Sequence, residues 1–265
     1  MGSDGVWGNV DATVDFCEGN YALVPWLAEA FNTISSVPII VMGVIGLIET
    51  RRYASRERRF ALAFSAIIMV GIGSTVFHAT LRRGAQMLDE LPMLLANFVF
   101  VFMLIERHAD RKIPWLPGAL WLSALALTCI YLFSDQYWIF LLAYSAQVTY
   151  IFLRSCVVAR RLSREEVTPG ARVALTMFML AGLTYFTGFG LWVVDQLMCQ
   201  HVQSFHLHSF WHVLAGFGTS SWIQFQLAVR GVACRKAVSM RFLPSGQNPI
   251  LPQVVFGRPV KSSSN

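Results

Sequence analysis

The chain alternates long apolar stretches with short polar connections. Seven stretches carry almost no charge over about 20 residues, the length that a helix needs to cross the hydrocarbon layer of a bilayer. Their approximate bounds are 31–49, 60–79, 90–106, 114–133, 137–157, 172–194 and 208–229. The apolar residues run almost continuously and glycines are interspersed among them, as is typical of helices that pack closely in lipid. The pattern therefore predicts an all-α integral membrane protein built as a bundle of seven transmembrane helices.

Composition supports a membrane protein, because 55% of the 265 residues are hydrophobic and only 14% are charged. These values lie outside the range of soluble globular domains. Residues 1–30 lack the basic and compact apolar regions of a cleavable signal peptide, so we expect the first helix to act as its own insertion signal. We predict three parts: an N-terminal segment (1–30), a transmembrane domain (31–230) and a polar tail (231–265) with little fixed structure.

Basic residues predict the orientation of the bundle. The first fifty residues contain no Lys or Arg, and basic clusters follow the first, third, fifth and seventh helices. These clusters are Arg51, Arg52, Arg56, Arg58 and Arg59; Arg107, Arg111 and Lys112; Arg160, Arg161 and Arg164; and Arg230, Arg235, Lys236 and Arg241. Only Arg82 and Arg83 lie in the opposite connections. The positive-inside rule therefore predicts a luminal N-terminus and a cytosolic C-terminus. The net charge of +6 reflects this belt and does not require a nucleic-acid partner.

Histidines are the first candidates for chemistry, because polar groups inside membrane helices are costly and are often functional. His208 and His212 are four residues apart, so both rings lie on one face of a helix. His78 lies near the luminal end of the second helix, at the same depth. Three imidazoles that leave a fourth position open are typical of catalytic zinc, so we predict a zinc site. The alternative is a set of interfacial histidines, and His201 and His206 are competing ligands in the preceding loop.

Ser74 and Asp89 lie close to the predicted zinc site. Ser74 precedes His78 by one helical turn, and Asp89 is at the predicted start of the third helix. A carboxylate can take up and return a proton, and a hydroxyl can donate to a developing oxyanion. The alternatives are that Asp89 stabilises a helix N-terminus and that Ser74 bonds a carbonyl one turn earlier. Asp195 is either the partner of a histidine or an interfacial charge.

The N-terminal segment carries a separate set of oxygen ligands. Its side chains Asp15, Glu18, Asn20 and Glu29 can supply the oxygens that calcium prefers. The alternative is an acidic, solvated entry to the first helix. Cys17 and Cys199 both lie on the predicted luminal side, where a disulfide can form.

Five segments together resemble the alkaline ceramidases, a family in the same superfamily as the adiponectin receptors. The segments are Trp7–Gly8 with Val14–Tyr21, Ala28–Thr33, Gly73–Leu81, Leu88–Met93 and Trp211–Gly216, and they occur in the family's order. Within the last-but-one segment, the Asp89–Met93 run is most similar to the phytoceramidase-type branch. The resemblance covers nearly the whole chain. It implies a zinc amidase that hydrolyses ceramide to a sphingoid base and a fatty acid in the endoplasmic reticulum or Golgi membrane.

The resemblance also assigns roles to residues. It makes His78, His208 and His212 the zinc ligands and places Ser74 and Asp89 beside the metal-bound water. It implies a calcium site made of Asp15, Glu18, Asn20, Glu29 and the backbone carbonyl of Phe16, where other members of the family carry Trp. It further implies a disulfide between Cys17 and Cys199. A seven-helix receptor of the same superfamily is the alternative function, whereas a transporter is disfavoured because paired broken helices are missing.

Overall fold

The computed structural model describes residues 5–54, 57–106, 113–134, 136–165, 168–243 and 251–257. Its helices are α1 (Ala30–Tyr53), α2 (Arg58–Thr80), α3 (Arg83–Ile105), α4 (Leu116–Ser134), α5 (Tyr137–Glu165), α6 (Pro169–Leu197), α7 (Cys199–Val202) and α8 (Leu207–Ala233). A 3-10 turn (Gln203–Phe205) joins α7 to α8, and strands β1 (Val238–Leu243) and β2 (Leu251–Phe256) follow. The basic residues Arg56, Arg107, Arg111 and Lys112, which entered the orientation prediction, lie outside the described residues, as do residues 244–250 and 258–265 of the tail.

Six helices of the described chain, α1 to α6, are long and apolar enough to cross a membrane, with α5 counted to Arg164. The prediction of a mostly helical integral membrane protein, which is based on the apolar stretches, is confirmed to this extent: the described chain has six helices that can cross a membrane. The seventh stretch also forms a helix, the 27-residue α8. Every residue of α8 from Ser220 to Val229 is buried. A helix that is buried all round lies inside a bundle, so α8 is the central element against which α1 and α6 pack.

The third helix begins earlier than predicted, at Arg83 instead of near residue 90. Asp11 of the N-terminal segment accepts a hydrogen bond from the backbone N–H of Arg83, with 2.6 Å between the nitrogen and Oδ1. This contact stabilises a polar first turn that a search for apolar stretches misses. Asp89 therefore lies in the second turn of α3, and its interpretation as an N-terminal helix residue is wrong.

The tail is more ordered than predicted. Strands β1 and β2 form an antiparallel hairpin in which Val238 pairs with Phe256. The hairpin packs against α8 through Gln224, whose Nε2 donates to Gln253 Oε1 at 2.6 Å and whose Oε1 accepts from the Val254 N–H at 2.9 Å. The prediction of little fixed structure is wrong for these strands, because the buried amide of a helix supplies partners that the tail sequence does not reveal.

Candidate metal centre

Three buried histidines converge at one end of the bundle. His78, His208 and His212 each place a ring nitrogen within 4.8 Å of the others. Their ring centroids are 4.5 to 5.2 Å apart. Within the described ranges, no other group of three His, Cys, Asp or Glu side chains comes this close. The competing candidates His201 and His206 do not join this group. We refer to His78, His208 and His212 as the histidine triad.

Helix ends position the triad. His78 occupies the last turn of α2, which ends at Thr80 and is followed by Leu81 in a left-handed conformation with φ of 47°. His208 and His212 occupy the first two turns of α8. Asp195 is 1% exposed, and its Oδ1 accepts a hydrogen bond from the His208 backbone N–H at 3.2 Å. Asp195 therefore fixes the start of α8 through the backbone, and it is not an exposed interfacial charge.

Neighbouring side chains orient two of the three rings. Glu29 Oε2 lies 2.5 Å from His78 Nδ1, and Ser35 Oγ lies 2.8 Å from His212 Nδ1. Histidines that bind a metal through one ring nitrogen usually engage a carboxylate or another polar group with the second. These contacts occupy Nδ1 of both rings, so Nε2 is the nitrogen that remains for a metal. His208 Nδ1 is buried and has no hydrogen-bond partner within the described part of the chain.

The donor set fits zinc, which takes neutral imidazole nitrogens in a buried site. An unpartnered nitrogen in such a site is costly, and a metal ion removes that cost. The polar and apolar pattern and the spacing of histidines do not single out Ser35 or the adjacent Ser36 as part of the site. The signal that points to them is a short polar run, Asn32 to Ser36, in the first turns of an otherwise apolar helix.

Ser74 and Asp89 face the same region. Ser74 is buried, and its Oγ lies 2.9 Å from Ser36 Oγ. Asp89 lines a cavity together with Ser74, His208 and His212. Gly73 permits this arrangement, because a Cβ at that position would lie 2.0 Å from the carbonyl oxygen of Leu88 and 2.8 Å from the Asp89 nitrogen. The backbone of α3 thus contacts α2 directly, one residue from Ser74.

The cavity has a volume of about 320 Å³. This volume is in the range of small-molecule binding sites in proteins. Its walls come from α1, α2, α3, α5, α6 and α8 and from Phe16 of the N-terminal segment, and most of the lining side chains are apolar or aromatic. Ser74, Asp89, His208 and His212 lie at the end that carries the triad. The site therefore combines three potential metal ligands, a carboxylate and a hydroxyl with a long apolar compartment.

The acidic residues of the N-terminal segment lie next to the triad. Asn20 Nδ2 donates to Asp15 Oδ2 at 3.0 Å, and Glu29 Oε1 accepts from the Phe16 N–H at 3.2 Å. Glu18 differs, because both of its carboxylate oxygens accept backbone N–H groups at the start of α1. Burial raises the pKa of Glu18, and it raises the pKa of Glu29 to about 7.

These groups are chemically suited to a hard cation. Asn20 Oδ1 is buried and has no partner among the described residues. Asp15, Asn20 and Glu29 therefore offer oxygens that calcium can use, since calcium takes carboxylate, amide and backbone carbonyl ligands. The Phe16 carbonyl, which accepts the Glu18 N–H at 2.8 Å, retains a second lone pair. In the present conformation Glu18 acts as the cap of α1.

A disulfide holds the N-terminal segment over the triad. Cys17 and Cys199 are bonded, with 5.4 Å between their Cα atoms, so the predicted pairing is confirmed. The bond ties the segment to the connection between α6 and α8. Beside it, the ring of Phe16 stacks on His208 with 3.9 Å between centroids. The segment therefore covers the triad.

Fold and site together define a mostly helical protein of the integral membrane class, with a buried histidine triad, two of whose members line a mostly apolar cavity. The chain belongs to the ceramidase family, whose family model matches residues 8–254. It is 32% identical to Alkaline ceramidase 3 of Mus musculus over 257 residues, which cover 90% of this chain and 91% of the relative. It is also 28% identical to Alkaline ceramidase of Arabidopsis thaliana, covering 82% and 84%, and 29% identical to Alkaline ceramidase of Drosophila melanogaster, covering 76% and 71%.

Proposed function

We propose that this chain is a zinc-dependent membrane amidase that hydrolyses ceramide to a sphingoid base and a free fatty acid. The observation that carries the proposal is the histidine triad beside Asp89 and an apolar cavity, in a chain whose relatives are alkaline ceramidases. Membership of the ceramidase family supports the amidase activity. The metal, the residue roles and the orientation in the membrane are the parts of the proposal that need direct tests.

His78, His208 and His212 would hold the zinc ion. Zinc bound to three neutral imidazoles lowers the pKa of a bound water to about 7 and polarises a carbonyl group. Glu29 and Ser35 keep two of the rings in the orientation that presents Nε2. Asp195 accepts the backbone N–H of His208 and so keeps the third histidine next to the other two.

Asp89 and Ser74 supply the proton transfer and the oxyanion stabilisation. Asp89 takes a proton from the attacking water and passes it to the amide nitrogen, which then leaves as the sphingoid amine. Ser74 donates a hydrogen bond to the substrate oxygen as negative charge develops on it. Water provides the oxygen of the new carboxylic acid. Gly73 keeps Asp89 within reach of this chemistry by allowing α3 to contact α2.

The cavity suits a lipid amide. Ceramide has two long hydrocarbon chains on either side of a small polar group, and the site pairs an apolar compartment with a polar end. Because the compartment lies among helices that can cross a membrane, the substrate need not leave the bilayer. The lipid therefore keeps its chains in an apolar environment throughout the reaction.

Calcium would support the site from the N-terminal segment. Asp15, Asn20, Glu29 and the Phe16 carbonyl would supply oxygens, and Glu18 would join them or remain the cap of α1. A cation that binds only the folded segment stabilises it by mass action. Since Glu29 also contacts His78, calcium would affect the position of a zinc ligand.

We place the N-terminus in the lumen of the endoplasmic reticulum or Golgi and the C-terminus in the cytosol, with α8 as the seventh span. The support is the distribution of Arg and Lys along the chain. Single cysteines at Asn20 and Arg161 in sealed vesicles test the orientation. We expect labelling of position 161, and not of position 20, from the cytosolic face. The reverse pattern would overturn the orientation.

The proposal is tested with purified protein and a panel of ceramides in lipid nanodiscs. We expect equal amounts of sphingoid base and fatty acid by mass spectrometry, loss of release after chelation, and recovery on addition of zinc. A receptor in which zinc only holds the bundle together would bind zinc and release nothing. Zinc-loaded, folded protein that releases no sphingoid base from any ceramide would contradict the proposal.

A further inference from the structure

The cavity ends, away from the histidine triad, in a layer of large side chains. Six helices line the cavity, and α1 contributes only Ile39. On each of the other five, the last lining residue towards the predicted cytosolic side is bulky. These residues are Ile67 on α2, Phe100 on α3, Phe152 on α5, Phe178 on α6 and Trp222 on α8. We call this set the cavity floor.

Two pairs of rings contact each other within the cavity floor. The rings of Trp222 and Phe100 are 5.0 Å apart, and those of Phe152 and Phe178 are 6.4 Å apart. Trp222 is 9% exposed, and its Nε1 donates a hydrogen bond to Ser155 Oγ at 2.9 Å. Beneath the floor, Phe225 is fully buried and packs on Phe178 at 5.2 Å. The compartment therefore has a fixed end at this level.

The depth of the compartment matches one hydrocarbon chain. His212 and Trp222 lie on the same helix ten residues apart, which corresponds to about 15 Å at ~1.5 Å per residue. That distance is about half of the ~30 Å hydrocarbon layer of a bilayer, the depth of a single leaflet. A chain attached to an amide at the triad therefore reaches the floor when it is as long as an ordinary membrane lipid chain.

We propose that Trp222 sets the longest substrate chain that the compartment accepts, which makes it a specificity-determining residue. The inference rests on the proposed ceramidase activity, because it assumes that the amide binds at the triad. A longer chain must fold back or displace Trp222, and the indole is held by Ser155 and Phe100. Displacing a packed and hydrogen-bonded side chain is costly, so substrates with longer chains react more slowly.

The experiment compares kcat/KM for two series of ceramides, one with lauroyl, palmitoyl and lignoceroyl acyl chains and one with sphingoid bases of increasing length. Trp222→Leu opens the floor. In one of the two series, we expect it to raise the ratio of kcat/KM for the longest substrate to kcat/KM for the middle substrate by about tenfold or more. Thr219→Phe, one turn nearer the triad on the same face, raises the floor and should lower that ratio. Trp121→Leu is the matched control, since Trp121 is 67% exposed on α4 and does not line the cavity.

Ser155→Ala is a second test of the role of Trp222 if Trp222→Leu does not fold. This variant removes the hydrogen bond to the Trp222 indole and keeps the volume of the indole. We expect a smaller shift of the ratio in the same direction. Ratios that stay at the wild-type value in both series, for variants that fold and still hydrolyse ceramide, would overturn the role of Trp222. Failure of the proposed function is a different result, in which the wild-type protein releases no sphingoid base from any substrate.

Discussion

Glu29 contacts His78 directly, with 2.5 Å between its Oε2 and the Nδ1 of the ring. The other oxygen of Glu29 accepts the N–H of Phe16, in the segment that carries the acidic cluster. One carboxylate therefore connects the candidate calcium ligands with a candidate zinc ligand. We expect a change at the calcium site to affect the zinc site, and a change at the zinc site to affect the calcium site.

The first prediction concerns the replacement of Glu29 by glutamine. The change removes the carboxylate that orients His78 while keeping the side-chain volume. We expect zinc affinity or turnover to fall by about 10- to 100-fold, as is usual when the partner of a metal-binding histidine is lost. Elemental analysis and ceramide turnover measure the two quantities. Glu49→Gln is the control, because Glu49 is a buried glutamate at the opposite end of α1 and should leave both unchanged.

The second prediction concerns pH and calcium. Burial raises the pKa of Glu29 from 4.5 to about 7, so without calcium the folded state favours the protonated acid. Its contribution to stability is present below the unfolded pKa and is lost as pH rises through about 7. We expect the Tm of calcium-free protein to fall as pH rises from about 4.5 to about 7, and calcium to reverse that fall. In Glu29→Gln protein both effects should be smaller. An unchanged calcium response in this variant would remove Glu29 from the calcium site.

The third prediction separates the histidine triad from nearby histidines. His212→Ala leaves two ring nitrogens, which hold zinc poorly and leave a water unactivated. We expect loss of both zinc and turnover in this variant. His201→Ala should retain both, since His201 is exposed and lies outside the triad. Equal zinc content in the two purified proteins would argue against the triad as the zinc site.

The fourth prediction concerns the contact between α2 and α3. Gly73→Ala forces a methyl group against the Leu88 carbonyl, so α3 must move away from Ser74. Overpacking of this kind costs about 1–3 kcal/mol. We expect a lower Tm and lower turnover with zinc retained, because the triad does not depend on α3. Gly190→Ala is the control, since no heavy atom of the described residues lies within 4 Å of a Cβ at that position. Equal turnover in the two variants would show that Asp89 does not depend on this contact.

The sequence was sufficient to predict the helices and the residues that converge in the triad. Apolar stretches of bilayer length begin within three residues of the observed helices, except at α3. The i, i+4 spacing of His208 and His212 is a local property of one helix, so both side chains lie on the same helix face in the folded protein. Placing His78 beside them required only that both helix ends lie on the same side of the membrane.

Other features depend on contacts between distant parts of the chain. The first turn of α3 is stabilised by Asp11, and the C-terminal hairpin is stabilised by Gln224. Ser35 approaches His212 only because α1 packs against α8. Neither hydrophobic periodicity nor local spacing carries this information, so the sequence pattern could not predict these contacts.

The most direct test of the account is single-turnover hydrolysis by Asp89→Asn protein of measured zinc content. Asp89 lines the cavity with His208 and His212 and is not needed as a metal ligand. We predict stoichiometric zinc and a rate of amide cleavage that is lower by about 10²–10⁴, the range for lost general acid–base catalysis. Ser74→Ala should keep zinc and lose about 10²-fold, the effect of one oxyanion donor. Normal cleavage by zinc-loaded Asp89→Asn protein would contradict the assignment of Asp89 as the proton-transfer group.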